Sequence, residues 1–130
     1  PISNEMKINI KATNLKLTPE INDYINNKIG GLGKFIEGYD SSVQAWVEVG
    51  IFTKHHQTGE IYRAEIQIRV PHDKNGIRAV SQKETLYAAI DDVREEVKKE
   101  LTKIKEKKIS LVRKGSRLLK KLTSIFYESR

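Results

Sequence analysis

Two hydrophobic periods divide this sequence and limit the folds that it can adopt. In residues 43–51 and 62–70 every second side chain is apolar, which is the period of a β-strand with one buried face. From about Ser81 the apolar spacing changes to three and four residues, which is typical of an amphipathic helix. A chain with both periods predicts an α+β fold in which helices cover a sheet.

Shorter signals predict the remaining elements. Met6–Ala12 alternates and predicts a first strand, and Ile77–Val80 begins a fourth. Thr18 and Pro19 indicate a helix start, since a threonine side chain caps free N–H groups and proline fits the first helical position. The first helix has one apolar stripe, formed by Ile21, Tyr24, Ile25, Ile29, Leu32, Phe35 and Ile36. The predicted order is β-α-β-β-β-α, a two-layer sandwich with a four-stranded sheet and both helices on one face.

The apolar stripe of the second helix predicts where the domain ends. It consists of Leu86, Ile90, Val93, Val97, Leu101 and Ile104. Gly115 and Ser116 then interrupt the pattern. We therefore expect residues 1–108 to form one α/β domain and residues 109–130 to form a separate, basic amphipathic tail. A chain of 130 residues that is 38% hydrophobic has material for one core of this size.

Charge is unevenly distributed along the chain. Residues 1–96 carry 12 basic and 14 acidic side chains, whereas residues 97–130 carry 12 and 3. Positive charge concentrated at one end favours a polyanionic partner and predicts an RNA-binding surface. The alternative is a solvated basic helix, because acidic residues early and basic residues late also suit the helix dipole and i,i+4 pairing.

The helical period places the basic residues on two sides of the second helix. At about 100° per residue, Lys99, Lys103 and Lys107 share one solvent-facing side. The opposite flank of the apolar stripe is predicted to hold Lys83, Arg94, Lys98 and Lys105. These residues are candidate RNA contacts.

Catalytic, cofactor and metal sites find little support in the sequence. No cysteine is present, and the pairs His55-His56 and His72-Asp73 fall in predicted loops, where adjacent residues cannot easily meet the geometry that zinc requires. Gly30-Gly31-Leu32-Gly33 lies within a helical pattern and not between a strand and a helix, so it does not predict a phosphate loop. We expect no enzymatic activity and no cofactor.

The open face of the sheet is a second place where RNA could bind. Trp46 and Phe52 could stack on bases there, as in an RNA-recognition motif. Glu48 and Glu65 share the face and would repel phosphates, which makes this a minor alternative.

Localisation follows from what the sequence lacks. Nothing in it resembles a signal peptide or an apolar run long enough to cross a bilayer, and the absence of cysteine suits a reducing compartment. We expect a cytoplasmic protein with no membrane partner.

Several short motifs resemble the ribosome hibernation-promoting factors, also called the ribosome-associated inhibitor or protein Y family. They are Leu15–Leu17 with Thr18-Pro19-Glu20-Ile21, then Ile77-Arg78-Ala79, then Leu86-Tyr87-Ala88-Ala89-Ile90-Asp91. The resemblance covers about residues 6–108. The run Tyr-Ala-Ala-Ile-Asp is fairly specific when it opens the second helix of a β-α-β-β-β-α module.

This resemblance implies a non-enzymatic protein that lies between the head and body of the small ribosomal subunit. It would occupy the path of mRNA and tRNA and so inhibit translation. The family binds rRNA through basic side chains of its two helices, and the matching positions here are Lys28, Lys34, Lys99, Lys103 and Lys107. Gly31 and Glu96 depart from the family, which often has lysine there, so some contacts would move or be lost.

Other interpretations stay open. A double-stranded-RNA-binding domain has an α-β-β-β-α core, which this chain would match if Met6–Ala12 were an additional strand. A module that docks on a membrane or a protein through the basic tail is a third possibility. The tail also leaves open whether the protein pairs ribosomes, since some family members carry a dimerisation domain there.

Overall fold

The computed structural model describes residues 6–36, 43–52, 59–69 and 76–128, with side chains as far as Thr123. The elements are β1 (Lys7–Thr13), α1 (Pro19–Gly30), a 3-10 helix (Gly31–Phe35), β2 (Gln44–Phe52), β3 (Ile61–Arg69), β4 (Ile77–Lys83) and α2 (Leu86–Glu128). The predicted α+β class and β-α-β-β-β-α order are confirmed.

The four strands form one sheet in the order β1-β2-β3-β4. β1 runs parallel to β2, from Lys7 opposite Gln44 to Thr13 opposite Gly50, and α1 supplies the crossover between them. β2, β3 and β4 form an antiparallel meander. Because β1 pairs along its full length, it is an integral strand of the sheet.

The core lies between one face of the sheet and the two helices. α1 contributes Ile25 and Ile29, and α2 contributes Ile90, Val93 and Val97, all fully buried. From the sheet they meet the inward-facing side chains Ala45, Val47, Val49, Ala64, Ile66 and Ile68. Burying an isoleucine or valine side chain stabilises the fold by roughly 1.5–3 kcal/mol relative to exposure.

Threonine caps begin both helices. The backbone N–H of Ile21 donates to the Thr18 hydroxyl at 3.3 Å, and Pro19 occupies the first turn, as predicted. At α2 the N–H of Ala88 donates to the Thr85 hydroxyl at 3.1 Å. The expectation that the helical period begins near Ser81 is wrong, because β4 continues to Lys83 and Ser81 pairs with Ala64 in the sheet.

The turn into β4 needs a glycine. Gly76 has a φ of +67°, and a Cβ atom there would lie 2.7 Å from the carbonyl oxygen of Ile68. Both the backbone conformation and the close approach favour glycine, so the hairpin geometry depends on this residue.

α2 continues without interruption beyond the core. The expected break at Gly115 and Ser116 is wrong, since the helix runs through both residues to Glu128. One glycine in a helix costs only about 1 kcal/mol, and the neighbouring lysines, arginines and leucines are good helix formers. We call residues 102–123 the extension; its role as a separate tail stays a prediction.

Some of the predicted features lie outside the described residues. They are most of the β2–β3 loop with His55-His56, and the β3–β4 turn with His72-Asp73. In the four described ranges, no group of three or more His, Asp or Glu side chains could hold a metal ion. None of the helices described there is long and apolar enough to cross a membrane.

Candidate nucleic-acid interface

α1 and α2 are joined by a small aromatic and acidic contact. The hydroxyl of Tyr24 donates to a carboxylate oxygen of Asp91 at 2.5 Å. The rings of Tyr24 and Tyr87 meet edge to face, with centroids 4.6 Å apart. Because Tyr87 and Asp91 are four residues apart, they present both groups to α1 from one face of α2.

Burial and the contact with Asp91 keep Tyr24 protonated. Desolvation is the larger cause and the hydrogen bond to the carboxylate the second, and together they raise the pKa of Tyr24 to about 12. The Tyr24 hydroxyl therefore remains a donor throughout the physiological range of pH.

Lys28 stands beside this contact at the end of α1. Its ammonium lies 3.7 Å from the Asp91 carboxylate and 5.5 Å from the centroid of the Tyr24 ring. Arg94 Nε donates to the backbone carbonyl of Lys28 at 3.3 Å, and its terminal nitrogen pairs with Glu95 at 2.6 Å. Arg94 thus holds the end of α1 while keeping part of its guanidinium at the surface.

Lys34 and Lys98 meet around a single aromatic ring. Their ammonium nitrogens lie 5.2 and 5.3 Å from the centroid of Phe35. Each cation interacts favourably with the ring, yet the two like charges are gathered at one place, which raises the local positive potential. We call Lys28, Lys34, Arg94 and Lys98 the junction cluster, because the packing of α1 and the 3-10 helix on α2 assembles it.

A second set of basic residues lies on the side of α2 away from α1. Lys99, Lys103 and Lys107 are four residues apart and follow one line along the helix. The side chains of Lys99 and Lys103 are 67% and 72% exposed. Glu96 lies 3.7 Å from Lys99 and Glu100 lies 3.3 Å from Lys103, so acidic side chains of the preceding turn partly offset two of these charges. We call the three lysines the outer row.

The structure separates the remaining two candidates from the junction cluster. Lys105 is exposed on the extension, on the same flank as Lys98 but two turns further along. The placement of Lys83 on the second helix is wrong: it lies in β4, opposite Tyr62. Its position followed from starting the helix too early.

The open sheet face has most of its charges engaged with one another. Arg63 and Arg78 both pair with Glu65, and Glu65 itself stands opposite Glu48 across the strands. Arg69 lies 5.6 Å from the Trp46 ring, and Arg63 also lies 5.9 Å from the Phe52 ring. A base that stacked on either ring would therefore have to compete with an arginine, although Trp46 and Phe52 remain 40% and 42% exposed.

Sequence reasoning missed the residues that position the basic groups. Tyr24 and Phe35 were assigned only to the apolar stripe of the first helix, yet both are partly exposed and contact the lysines. The Tyr-Ala-Ala-Ile-Asp run was noted as a motif without a physical role. Its Tyr87 and Asp91, spaced one helical turn apart, were the available signal for a contact with another helix.

The sequence profile of one family matches most of the described domain. The profile of the Sigma 54 modulation protein / S30EA ribosomal protein family matches residues 8–109. The chain belongs to this family. The resemblance inferred from its motifs is thereby confirmed, and the match ends inside α2, within the first part of the exposed extension.

Individual relatives support the same assignment. The chain is 29% identical over 101 residues to the ribosome hibernation promotion factor of Lactococcus lactis, covering 77% of this chain and 50% of that protein. It is 28% identical over 104 residues to the ribosome hibernation promoting factor of Klebsiella oxytoca, covering 78% and 96%. The chain thus spans about half the length of the Lactococcus protein and of the corresponding Bacillus subtilis protein.

Solved structures share the fold. The N-terminal domain of Thermus thermophilus Protein Y superposes with a TM-score of 0.56 at 23% identity, covering 77% of this chain and 98% of that one. A ribosomal subunit interface protein from Coxiella burnetii gives the same TM-score at 13% identity.

Proposed function

We propose that this protein is a cytoplasmic ribosome hibernation factor that binds rRNA of the small subunit. It would lie in the path of mRNA and tRNA and inhibit translation by occupying that path. The names of its relatives support the association with ribosomes. No catalytic step is part of the proposal, because occupancy alone accounts for inhibition.

The junction cluster is the observation that carries the RNA-binding proposal. Four basic residues from α1, the 3-10 helix and α2 lie around the place where these elements meet, and two of them share the ring of Phe35. Lys28 and Arg94 each pair with a carboxylate, but Lys34 and Lys98 are like charges held at one ring. A phosphate group placed between these two lysines would remove their repulsion while releasing counterions. The outer row then adds phosphate contacts on another side of α2.

Removing the outer row should weaken RNA binding without unfolding the protein. We expect Lys99→Ala, Lys103→Ala and Lys107→Ala together to reduce affinity for isolated small subunits at least tenfold. Exposed lysines contribute little to stability. A matched control is Lys7→Ala, Lys11→Ala and Lys16→Ala, which removes the same charge from β1 and the following loop. Equal losses in both variants, measured by filter binding, would mean that net charge and not this surface determines affinity.

Restoring a lysine at Gly31 should strengthen binding. Gly31 has a φ of −64°, and a Cβ atom there would contact nothing within 4 Å, so a side chain fits. Gly31→Lys adds a cation about one helical turn after Lys28 of the junction cluster, and we expect affinity to rise several-fold at low salt. Gly31→Gln controls for the added side chain. An equal rise for glutamine, or no rise for lysine, would contradict the assignment of RNA contacts to this surface.

The order of addition tests the inhibitory mechanism. A factor that competes for the mRNA and tRNA path should inhibit translation strongly when added to empty ribosomes, and weakly when added after initiation complexes have formed. Equal inhibition in both orders would contradict competition. Mass spectrometry of the rRNA provides the second readout, because cleavage or covalent modification would contradict a non-enzymatic role.

A further inference from the structure

The extension carries a large apolar surface that nothing in the described parts of the chain covers. Seven aliphatic side chains are exposed on it, up to 66% at Leu119. They are Ile104, Ile109, Leu111, Val112, Leu118, Leu119 and Leu122. An apolar patch of this extent on a surface indicates an interaction site.

Most of these side chains lie on one side of the helix. At about 100° per residue, Leu111, Val112, Leu118, Leu119 and Leu122 fall within an arc of about 120°, with Gly115 near its middle. We call these five residues the leucine stripe. Lys108 lies within the same arc, and its four-carbon stem can carry the ammonium to the edge of the apolar surface.

Basic residues border the leucine stripe on both sides. Lys107, Lys114 and Lys121 recur every seven residues along one flank, and Arg113 and Lys120 follow the other. Residues 102–123 contain nine lysines and arginines and one acidic residue, Glu106. Such a surface requires a partner that offers apolar contact and negative charge together.

This combination of charge and apolar area distinguishes between partners. A second copy would place nine basic residues against nine, so repulsion opposes self-association through the stripe. RNA would neutralise the flanks but leave the leucine stripe in water. A bilayer with anionic headgroups buries the stripe and meets both flanks at once along the roughly 30 Å of the extension.

We propose that the extension lies in the interface of an anionic lipid bilayer, with the leucine stripe among the acyl chains and the basic flanks at headgroup level. The helix rests in the plane of the surface and does not cross it. This revises the expectation of a protein without a membrane partner. It rests on the leucine stripe, which the proposed binding to rRNA does not use, and of the named flanking residues it shares Lys107 with the outer row.

Vesicle binding by the full chain tests the proposal. We expect the protein to sediment with vesicles of phosphatidylglycerol and phosphatidylcholine, and to remain in the supernatant with phosphatidylcholine alone. Leu111→Gln with Leu119→Gln should lower partitioning at least tenfold, because glutamine keeps helix propensity but removes apolar area. The matched control, Thr102→Gln with Ser110→Gln, changes polar positions away from the stripe and should bind as the unaltered protein does.

Four results would overturn the proposal. They are absence of binding to anionic vesicles, equal binding by the stripe variant and its control, equal binding to anionic and neutral vesicles, and a dimer in solution that the stripe variant abolishes. Small-subunit binding by the same variants separates the two proposals. We expect the stripe variant to bind small subunits normally, so loss of vesicle binding alone identifies the lipid contact.

Discussion

The two parts of α2 share one helix but differ in their surroundings. From Leu86 to Leu101 the apolar stripe of α2 is buried in the core, whereas every side chain from Thr102 to Thr123 is exposed. The length of the strands explains why the burial of α2 ends at Leu101. Strands of seven and nine residues are about 23–30 Å long, and sixteen helical residues span about 24 Å. The sheet can therefore cover only the first part of α2, although the apolar pattern continues.

The largest expected difference between the two parts concerns stability. Ile90→Ala removes a fully buried side chain and should lower the free energy of unfolding by about 2–5 kcal/mol. Leu118→Ala removes an exposed one and should change it by less than about 0.5 kcal/mol. Urea unfolding of both variants measures the contrast. Comparable destabilisation would mean that the extension packs on the domain in solution.

A smaller loss of stability is expected at the contact between α1 and the buried part of α2. Tyr24→Phe removes the donor to Asp91 and should cost about 1 kcal/mol, since both groups are partly exposed and solvent weakens the bond. The stability from this bond is fully present below pH 10, the ordinary pKa of tyrosine, and is lost as pH rises through about 12.

Two measurements check this contact. The spectroscopic titration of Tyr24→Phe should lack the tyrosinate step near pH 12 that the unaltered protein shows. The free energies of unfolding of the two proteins should converge as the pH rises above 10. An unchanged titration curve would mean that Tyr24 does not carry the raised pKa.

The smallest expected change in stability concerns the extension. A Cβ atom at Gly115 would meet nothing within 4 Å, so Gly115→Ala should stabilise the local helix by about 1 kcal/mol. Amide exchange should slow in the extension while the midpoint of global unfolding stays unchanged. A shift of the global midpoint would show that the two parts of α2 unfold together.

Sequence reasoning predicted the elements whose signals are local. The alternation in β2 and β3 and the cap at Thr18 depend on neighbouring residues, so they could be read directly. β4 was placed too short because the polar Ser81 takes an inward position and the exposed Lys83 ends the strand, which breaks the apolar alternation. The continuation of α2 was missed because Gly115 was given more weight than the strong helix formers around it.

The candidate site was less accessible to prediction. Lys28, Lys34, Lys98 and Arg94 could each be named as candidates from charge, pattern or resemblance. Their assembly depends on how α1 and the 3-10 helix pack against α2, which brings Lys98 to the ring of Phe35 beside Lys34. The number of residues between two side chains in the sequence does not show whether helix packing brings them together. The outer row lies on a single helix, so the helical period alone was enough to predict that its three lysines share one side.

The pairing of β1 has a consequence for the order of folding. β2, β3 and β4 are joined by short connections, so their pairs close small loops, whereas Lys7 must reach Gln44 across the whole of α1. Closing the longer loop costs more chain entropy, and contacts distant in sequence form late. The meander can thus form as a local nucleus, and the docking of β1 then completes the sheet and brings α1 to its place beside α2.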